Sequence, residues 1–356
     1  MALVVVATWK VWPRERLLTE VARAIGQVKP QESWSWLTSD KLLVITTEQE
    51  GHWTGSPSWK GQVDQFNCGT HQRIPLPGLT RLFNHPDISP LGLPNSMELS
   101  PGHTWLIWNN HRTGDMYPFP AAAHLDGTHY REWGSDKDES GFFLDDQHYV
   151  QETGDRAFSV VVRDLQNPKN DREDSTPEQA KAILARYAVK HPVFITMPEP
   201  DSDVRGTPSS TDIEVYRIQD RLQSVHAEGN EGQGAPTPIH TWKLKFPIVA
   251  TLQHGEVSPQ QQAIFFDRVT SQLSPLLVWL HRMIPKFNPK PTITEALWVS
   301  RSDGRGLREI GYVPAHLNED GRPTDGLQNV RWLPDGKHIS FIYHSTLYVV
   351  PAESKG

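Results

Sequence analysis

The sequence has very little cysteine, no long apolar segment and no run of basic residues. Cys68 is the only cysteine among 356 residues, so an intramolecular disulfide is excluded, and a metal site of the Cys-x-x-Cys type is excluded with it. The formal net charge is -7 and no basic run is present, so the charge pattern of a nucleic-acid-binding protein is not visible. A Gly-x-Ser-x-Gly motif, which marks the nucleophile of α/β-type serine hydrolases, is also absent.

Proline, glycine and tryptophan are abundant and favour many short strands joined by tight turns. The chain contains 29 Pro, 25 Gly and 13 Trp. Its clearest turn is Trp-Leu-Pro-Asp-Gly-Lys at residues 332–337, in which Pro334 presets φ and Gly336 permits a positive φ. The alternating pattern of residues 339–343 predicts a half-buried strand after this turn, and residues 347–350 predict a further strand.

Related turns recur along the chain, each before an apolar strand. The interval between the turns near residues 144 and 257 is long enough for two repeats, and residues 193–196 and 213–218 predict a degenerate repeat within it. We interpret the turn residues as structural, because Asp, Pro and Gly satisfy or preset the backbone of tight turns. These turn residues are Asp40, Pro101, Gly102, Asp145, Asp146, Pro259, Pro334, Asp335 and Gly336.

A second pattern follows the first in each repeat and consists of a strand, a turn and an outer strand. It is present at residues 63–76, 122–133 and 296–310, and at residues 159–173 the turn reads Asn-Pro-Lys-Asn. Because the two patterns recur in the same order, they predict repeats of four antiparallel strands. A single four-stranded sheet cannot bury both of its faces, whereas sheets stacked around a ring can.

These motifs resemble the WD40-like, TolB-type (PD40) β-propeller repeat, whose hallmark is Trp-Ser-Pro-Asp-Gly-Lys followed by an apolar strand. The resemblance implies an all-β fold, a β-propeller of about six blades of four-stranded antiparallel sheets. We expect the propeller to occupy residues 34–356, with small helical insertions at residues 175–191 and 273–284. The resemblance further implies a monomeric, non-enzymatic scaffold that binds a protein or peptide partner in the periplasm or elsewhere outside the cytoplasm, without a cofactor. A cytoplasmic location is the alternative.

The N-terminal segment, residues 1–33, has two interpretations. Residues 1–12 are apolar but shorter than the about 20 residues that span a bilayer, so they are either the end of a truncated membrane anchor or a strand of the ring. Apolar residues within positions 14–28 recur at helical spacing and predict an amphipathic helix. The final repeat lacks an outer strand of its own, so a strand from before Trp34 is expected to complete it. Residues 3–8 are the candidate strand, although the anchor interpretation is favoured.

Catalytic and metal sites are weaker predictions than structural roles. Glu98, Asp145, Asp146 and Asp335 are candidates for a pair of acid and base, but most lie where Asp caps a turn. The 16 histidines show no tight ligand spacing, although a propeller can bring ligands together from different blades. We therefore predict no catalytic residue, no metal and no cofactor.

The alternative function is an enzyme of the propeller lyase or glycosidase kind, with its site at the central channel. Three or more His, Gln or carboxylate groups converging at the channel mouth would favour the enzyme. A wide channel lined by Ser, Thr and Gly would favour the scaffold. Trp34, Trp36 and Trp332 occupy equivalent positions and are expected to pack between blades rather than to bind a ligand.

Overall fold

A computed structural model describes the chain in separate ranges. These are residues 17–50, 58–85, 88, 97–110, 119–133, 141–153, 159–174, 182, 193–196, 211–217, 240–244, 250–260, 262–272, 280, 283–284, 292–301, 305–316 and 324–353. The predicted helical insertions at 175–191 and 273–284 lie almost entirely outside them, as do residues 1–16. Within these ranges, no helix is both long and apolar enough to cross a membrane.

Nearly all of the regular structure in these ranges is β. The first half of the chain contains the strands β1 (Arg23–Gln27), β2 (Glu32–Thr38), β3 (Lys41–Glu50), β4 (Ser58–Asn67), β5 (Arg73–Pro75), β6 (Glu98–Leu99), β7 (Trp105–Asn110), β8 (Phe119–His124), β9 (Arg131–Glu132), β10 (Gly141–Phe143), β11 (His148–Thr153), β12 (Ser159–Asp164) and β13 (Arg172–Asp174). The second half contains β14 (Val193–Thr196), β15 (Thr211–Arg217), β16 (His240–Leu244), β17 (Ala250–Val257), β18 (Ala263–Gln272), β19 (Thr292–Arg301), β20 (Arg308–Pro314), β21 (Gln328–Trp332), β22 (His338–Tyr343) and β23 (Thr346–Pro351). The helices are α1 (Leu18–Val21), α2 (Pro77–Phe83) and a 3-10 turn at Pro168–Asn170.

The described strands fall into six sheets, and strands that follow one another in sequence pair as antiparallel neighbours. Five sheets have four strands and one has three; their orders are β2-β3-β4-β5, β6-β7-β8-β9, β10-β11-β12-β13, β14-β15-β16, β17-β18-β19-β20 and β21-β22-β23-β1. The degenerate repeat predicted between residues 144 and 257 is confirmed by the three-stranded sheet. Five sheets are simple meanders and the sixth is a three-strand meander extended by β1, so each one presents two faces that need a neighbour.

Alternation along the middle strands shows that the first two sheets each pack between two others. In β3, Leu42 and Val44 pack against the last sheet, whereas Leu43 and Ile45 pack against the sheet that contains Trp108. In β7 the same alternation sends Leu106 and Trp108 to one neighbour and Trp105 and Ile107 to the other. Because successive side chains of a strand point to opposite faces, both faces are apolar and no polar face remains. Antiparallel sheets that pack on one another through both faces in this way form a β-propeller, as the sequence predicts.

The ring is completed by a strand from the N-terminal side of the chain. β1 pairs with β23 in antiparallel register, with Arg23 opposite Val349 and Gln27 opposite Thr346. The prediction that a segment before Trp34 supplies the outer strand of the final sheet is therefore confirmed. The pairing covers an edge that the last three strands would otherwise leave open.

The predicted helix over residues 14–28 is wrong for most of its described part. Only Leu18–Val21 is helical, and Arg23–Gln27 is the strand that closes the ring. The apolar spacing that suggested a helix has another cause. Leu18 packs between the final sheet and the sheet that precedes it, whereas Ile25 and Val28 pack with Leu347 between the final sheet and the first. Residues 17–28 are consequently part of the ring. The expected boundary between an N-terminal segment, residues 1–33, and a propeller, residues 34–356, would separate β1 from the sheet to which it belongs.

Candidate ligand-binding site

The predicted turn residues Asp145 and Asp335 hold their turns by the same set of hydrogen bonds. The Oδ1 atom of Asp335 accepts the backbone N–H groups of Lys337 (2.8 Å) and His338 (3.1 Å), and its Oδ2 lies 2.6 Å from His338 Nδ1. Asp145 binds the N–H groups two and three residues ahead at 2.7 and 2.9 Å, and its Oδ2 lies 2.8 Å from His148 Nδ1. Partial burial raises the pKa of Asp335, but these hydrogen bonds outweigh it and the pKa lies below its ordinary value. These aspartates act within their turns.

Two other turns are held by a serine that directly precedes the proline. Ser100 Oγ accepts the N–H groups four and five residues ahead at 3.1 Å, and Ser258 Oγ does the same in its own turn. Pro101 and Pro259 follow these serines directly. These serines hold their turns from a different position than Asp335 does, because they align with Leu333 and bind N–H groups four and five residues ahead.

Turns of neighbouring sheets also contact each other. Asp146 accepts hydrogen bonds from the Ser100 hydroxyl, from the Gly102 N–H (3.0 Å) and from the Thr104 hydroxyl, so its carboxylate joins two turns. Gln260 donates from Nε2 to the carbonyl of Pro334 at 3.2 Å.

Two further turn predictions concern individual backbone positions. Gly336 has a φ of 59°, which confirms the positive φ predicted for it. Asp40 accepts a bond from the Thr38 hydroxyl at 2.5 Å, and its carbonyl accepts the Cys68 N–H at 2.8 Å. Asp40 therefore fixes its own turn and links that turn to the end of β4.

A cavity of about 700 Å³ lies where the first strands of five sheets meet. Residues of β2, β6, β10, β17 and β21 line it, and Pro101, Pro259 and Pro334 bring three of the repeat turns to its border. First strands of propeller sheets surround the central axis, so the cavity is axial. Its volume falls in the range of about 300–1,000 Å³ that is common for small-ligand sites.

Among the described residues, three charged side chains from three different sheets line this axial cavity. They are Glu98 of β6, Glu256 of β17 and Arg331 of β21. Glu98 is exposed to the cavity and its carboxylate is hydrogen-bonded to the backbone of Phe143. Glu256 Oε2 accepts the N–H of Trp332 at 3.3 Å, and the Trp332 indole N–H donates to the Glu256 carbonyl at 2.8 Å. Backbone contacts thus anchor both carboxylates in place.

The enclosure of these carboxylates by protein shifts their protonation. Burial raises the pKa of Glu98 to about 7, and the charge of Glu256 adds to that effect, whereas the Arg331 charge and the Phe143 hydrogen bond oppose it. Burial likewise raises the pKa of Glu256 to about 6, again opposed by Arg331 and by the hydrogen bond from Trp332. Near neutral pH each carboxyl is therefore close to its titration point.

Arg331 is oriented by a short chain of polar contacts that crosses to the first sheet. Its Nε donates to Asn329 Oδ1 at 3.4 Å, and Asn329 Nδ2 donates to the carbonyl of Trp34 at 3.2 Å. His103 also lines the cavity, but burial lowers its pKa despite a hydrogen bond to the Leu37 backbone and the nearby Asp146 charge. His103 is therefore neutral at pH 7.

Aromatic side chains form much of the remaining wall. The indole N–H of Trp36 donates to Ser340 Oγ at 2.7 Å, and Trp332 packs against Phe265 with ring centroids 5.8 Å apart. The expectation that these tryptophans pack between sheets is confirmed, although the same residues also face the axis. The aromatic residues lining the cavity are Trp34, Trp36, Phe143, Tyr149 and Trp332.

The cavity has features of both linings expected from the sequence. Glu98, Glu256 and His103 all line it and supply the three His or carboxylate groups expected for an enzyme, and the charge of Glu256 acts on Glu98. Serine lines it as well, at positions 35, 100 and 340. Within the described part of the chain, no group of three His, Cys, Asp or Glu side chains is arranged to hold a metal ion.

Of the four carboxylates considered from the sequence, the structure brings only Glu98 to the cavity. Asp145, Asp146 and Asp335 hold turns instead. Sequence reasoning missed Glu256 and Arg331. The signal that identifies them is register: Glu-Leu-Ser-Pro at 98–101, Glu-Val-Ser-Pro at 256–259 and Arg-Trp-Leu-Pro at 331–334 place all three charges at one repeat position.

The chain is a β-propeller protein, and comparisons with known proteins add little beyond that class. No protein-family model matches it, and no curated protein matches it in sequence. Among solved structures it is similar to the β-propeller domain of the trilobed protease from Pyrococcus furiosus, at 11% identity over 91% of this chain and 86% of that chain, with a TM-score of 0.41.

Two further structures give similar values. A chain of the mitotic checkpoint complex matches at 10% identity over 97% of this chain and 94% of that one, with a TM-score of 0.41. Oligogalacturonate lyase in complex with manganese matches at 11% identity over 88% and 74%, with a TM-score of 0.40. Because all three TM-scores are below 0.5, the fold assignment rests on the strand order and pairing of this chain.

Proposed function

We propose that the protein is a non-enzymatic scaffold of the TolB-type repeat class that binds a protein or peptide partner at the axial cavity. The observation that carries this proposal is the convergence of Glu98, Glu256 and Arg331 from three sheets on one cavity. Each carboxylate is held by a backbone hydrogen bond, so little ordering of these groups is needed when a ligand binds.

The border of the cavity supports a protein or peptide ligand in particular. Three proline-containing turns border it, and contacts such as Asp146 to Gly102 and Gln260 to Pro334 join neighbouring turns. A surface made of joined turns is rigid, and a segment of a partner that enters the cavity would rest on it. A rigid rim around a pocket that takes an anchor side chain is a common arrangement in protein interfaces.

A comparison of three forms of the protein tests the proposal. The wild type, a Glu98→Arg variant and a Glu353→Arg variant would each be immobilised and exposed to extract of the native organism, and retained proteins would be quantified. Glu353 is an exposed carboxylate outside the cavity, so the control introduces the same charge change elsewhere. We expect at least one protein to be lost only with Glu98→Arg, and the purified protein to bind the wild type in calorimetry. Equal retention by all three forms would contradict the proposal.

A second candidate function has one observation in its favour. A glutamic acid with a pKa of about 7 next to one with a pKa of about 6 suits general acid and base catalysis near neutral pH. The alternative is therefore an enzyme acting on polysaccharides, with Glu98 and Glu256 as the proton-transfer pair. Turnover of acidic or neutral oligosaccharides by the wild type, lost in both Glu98→Gln and Glu256→Gln, would establish the enzyme and displace the scaffold proposal.

The location and the oligomeric state complete the proposal. The TolB-type character of the repeat turns supports an extracytoplasmic, periplasmic location with attachment to a membrane through the N-terminal segment, and a monomeric scaffold. Fractionation of native cells with an antibody against the protein tests the first part, since a signal confined to the soluble cytoplasm would contradict it. Light scattering of the purified chain tests the second.

A further inference from the structure

The described lining of the axial cavity carries more negative than positive charge. Glu98 and Glu256 supply two carboxylates and Arg331 supplies one guanidinium, whereas His103 is neutral at pH 7. When both carboxylates are ionised, the group therefore has a net charge of -1. A ligand group of positive charge would balance it, and an anion would meet two carboxylates next to the one cation.

Both carboxylates retain hydrogen-bonding capacity toward a ligand. An ionised carboxylate accepts about four hydrogen bonds. Glu98 receives one from the Phe143 backbone and Glu256 receives one from the Trp332 backbone, and neither has an ion pair within 4.0 Å in the part of the chain that is described. Ammonium and guanidinium groups, which only donate, match this set of acceptors.

The aromatic wall is an independent feature that favours a cation. Five aromatic rings line the same cavity as the two carboxylates. A cation next to aromatic rings is attracted by their quadrupoles, most strongly for tryptophan and when the cation is shielded from water. Three of the five rings are tryptophans, at positions 34, 36 and 332.

We infer that the axial cavity receives a lysine or arginine side chain of the bound partner, which places its charged end between Glu98 and Glu256 and its aliphatic part along the aromatic wall. This inference rests on the proposed function, because it names the group by which the partner is held. The positive charge of Arg331 reduces the preference of the cavity for cations, and its remaining N–H donors orient the bound segment of the partner.

Small blocked amino acids serve as probes. N-acetyl-lysine methylamide and N-acetyl-arginine methylamide carry the proposed group, the norleucine analogue is the neutral control, and the glutamate analogue is the anionic control. Binding would be measured by tryptophan fluorescence and by saturation-transfer NMR at pH 5.5 and pH 8. We expect the two basic probes to bind at least tenfold more tightly than the norleucine analogue at pH 8.

The pH dependence provides a second readout. Cation binding requires ionised carboxylates, and the carboxyls of Glu98 and Glu256 lose protons between pH 5.5 and pH 8 because their pKa values are raised to about 7 and about 6. Because both carboxylates must be ionised, affinity for the basic probes should rise by about a hundredfold across this interval. The charged group that acts on both carboxylates is Arg331, and it stays protonated throughout.

Variants separate the contributions of the three side chains. Glu256→Gln should weaken lysine binding by about tenfold, Arg331→Met should strengthen it, and Glu353→Gln, an exposed carboxylate outside the cavity, should leave it unchanged. Thermal melting would establish that each variant is folded.

Three outcomes would overturn the inference. Equal binding of the norleucine and lysine probes would show an apolar pocket, and tight binding of the glutamate probe that is lost in Arg331→Met would show an anion site. Absence of binding by either basic probe at millimolar concentration to folded wild type would also overturn it. In each of these cases, selective loss of a protein partner with Glu98→Arg would leave the proposed function standing.

Discussion

Replacing Glu295 with glutamine should stabilise the protein above pH 6. Glu295 is 1% exposed and Asp267 is 2% exposed, and the two carboxyls lie together between the sheet of β18 and β19 and the final sheet. Burial, the hydrogen bond with Asp267 and the negative charge of Asp267 all raise the pKa of Glu295. Its Oε2 accepts the N–H of Leu327 at 2.6 Å. The folded protein therefore holds one proton on this pair of carboxyls.

The sign and size of the effect follow from this proton. The unfolded chain releases it near the ordinary glutamic acid pKa of about 4.3, whereas the folded chain keeps it to a much higher pH. The contribution of the pair to stability is consequently fully present below pH 4.3 and is lost as the pH rises toward the raised pKa. One proton corresponds to about 1.4 kcal/mol per pH unit, so about 2–3 kcal/mol is lost between pH 5.5 and pH 7.5.

Glutamine preserves the contacts and removes the proton dependence. Its amide can donate to Asp267 as the protonated Glu295 does, and its carbonyl oxygen can accept the N–H of Leu327. Asp325, whose charge also raises the pKa of Glu295, stays ionised in both proteins over this pH range, because its slight burial is outweighed by its hydrogen bonds with His316, which hold its pKa below the ordinary value.

Urea unfolding of wild type and Glu295→Gln at pH 5.5, 6.5 and 7.5 measures the difference. We expect the free energy of unfolding of the variant to exceed that of the wild type by an amount that grows with pH, while Glu353→Gln tracks the wild type. A difference that is independent of pH would refute the shared proton, and a variant less stable at every pH would refute the assignment of the proton to Glu295.

Three further predictions concern the turns and the closure of the ring. Gly336→Val should lower the free energy of unfolding by about 1–3 kcal/mol, because φ is 59° and a Cβ there meets a neighbouring side chain. Gly306→Val is the matched control, since φ is 69° but the space is open, and a loss as large as at Gly336 would mean that strain alone is responsible. Asp146→Ala should cost about 1–3 kcal/mol in chemical denaturation, because the hydroxyls of buried Ser100 and partly buried Thr104 lose their acceptor, and an unchanged midpoint would contradict that role. Deletion of residues 1–28 should abolish folded protein by removing β1 from β23, whereas deletion of residues 1–12 should leave the melting temperature unchanged; a stable folded 1–28 deletion would contradict ring closure by β1.

The turns were predictable because their chemistry is local. Pro334 and Gly336 set the backbone of one turn, and Asp335 satisfies N–H groups only two and three residues ahead, so a short stretch of sequence contains all the partners. The need for a borrowed outer strand was also predictable, because it follows from counting strands after the last turn. These features do not depend on where the rest of the chain lies.

The closing strand could not be located from the sequence because its conformation is decided by a distant partner. Leu18, Ile25 and Val28 fit a helical spacing, yet Ile25 and Val28 are buried against residues more than 300 positions away in the chain, including Leu347. A strand of five residues with a bulge between Ala24 and Gly26 shows little alternation of its own. Here, tertiary pairing overrides the local pattern.

The charged groups of the cavity show how the repeat itself contains the position of the site. In two repeats, the backbone N–H of the residue that opens the turn donates to a carbonyl further along, Ser100 to Trp105 and Ser258 to Ala263. These hydrogen bonds define equivalent positions in the two repeats. Glu98 and Glu256 stand two residues before these serines, and Arg331 stands two residues before Leu333, whose N–H makes the corresponding bond. Equivalent positions on the first strands of a propeller lie at the same height around one axis, so charges at this register must meet. A charged residue two positions before the turn is therefore the signal that a linear search for catalytic spacing passes over, and it becomes visible only when the repeats are aligned on their turns.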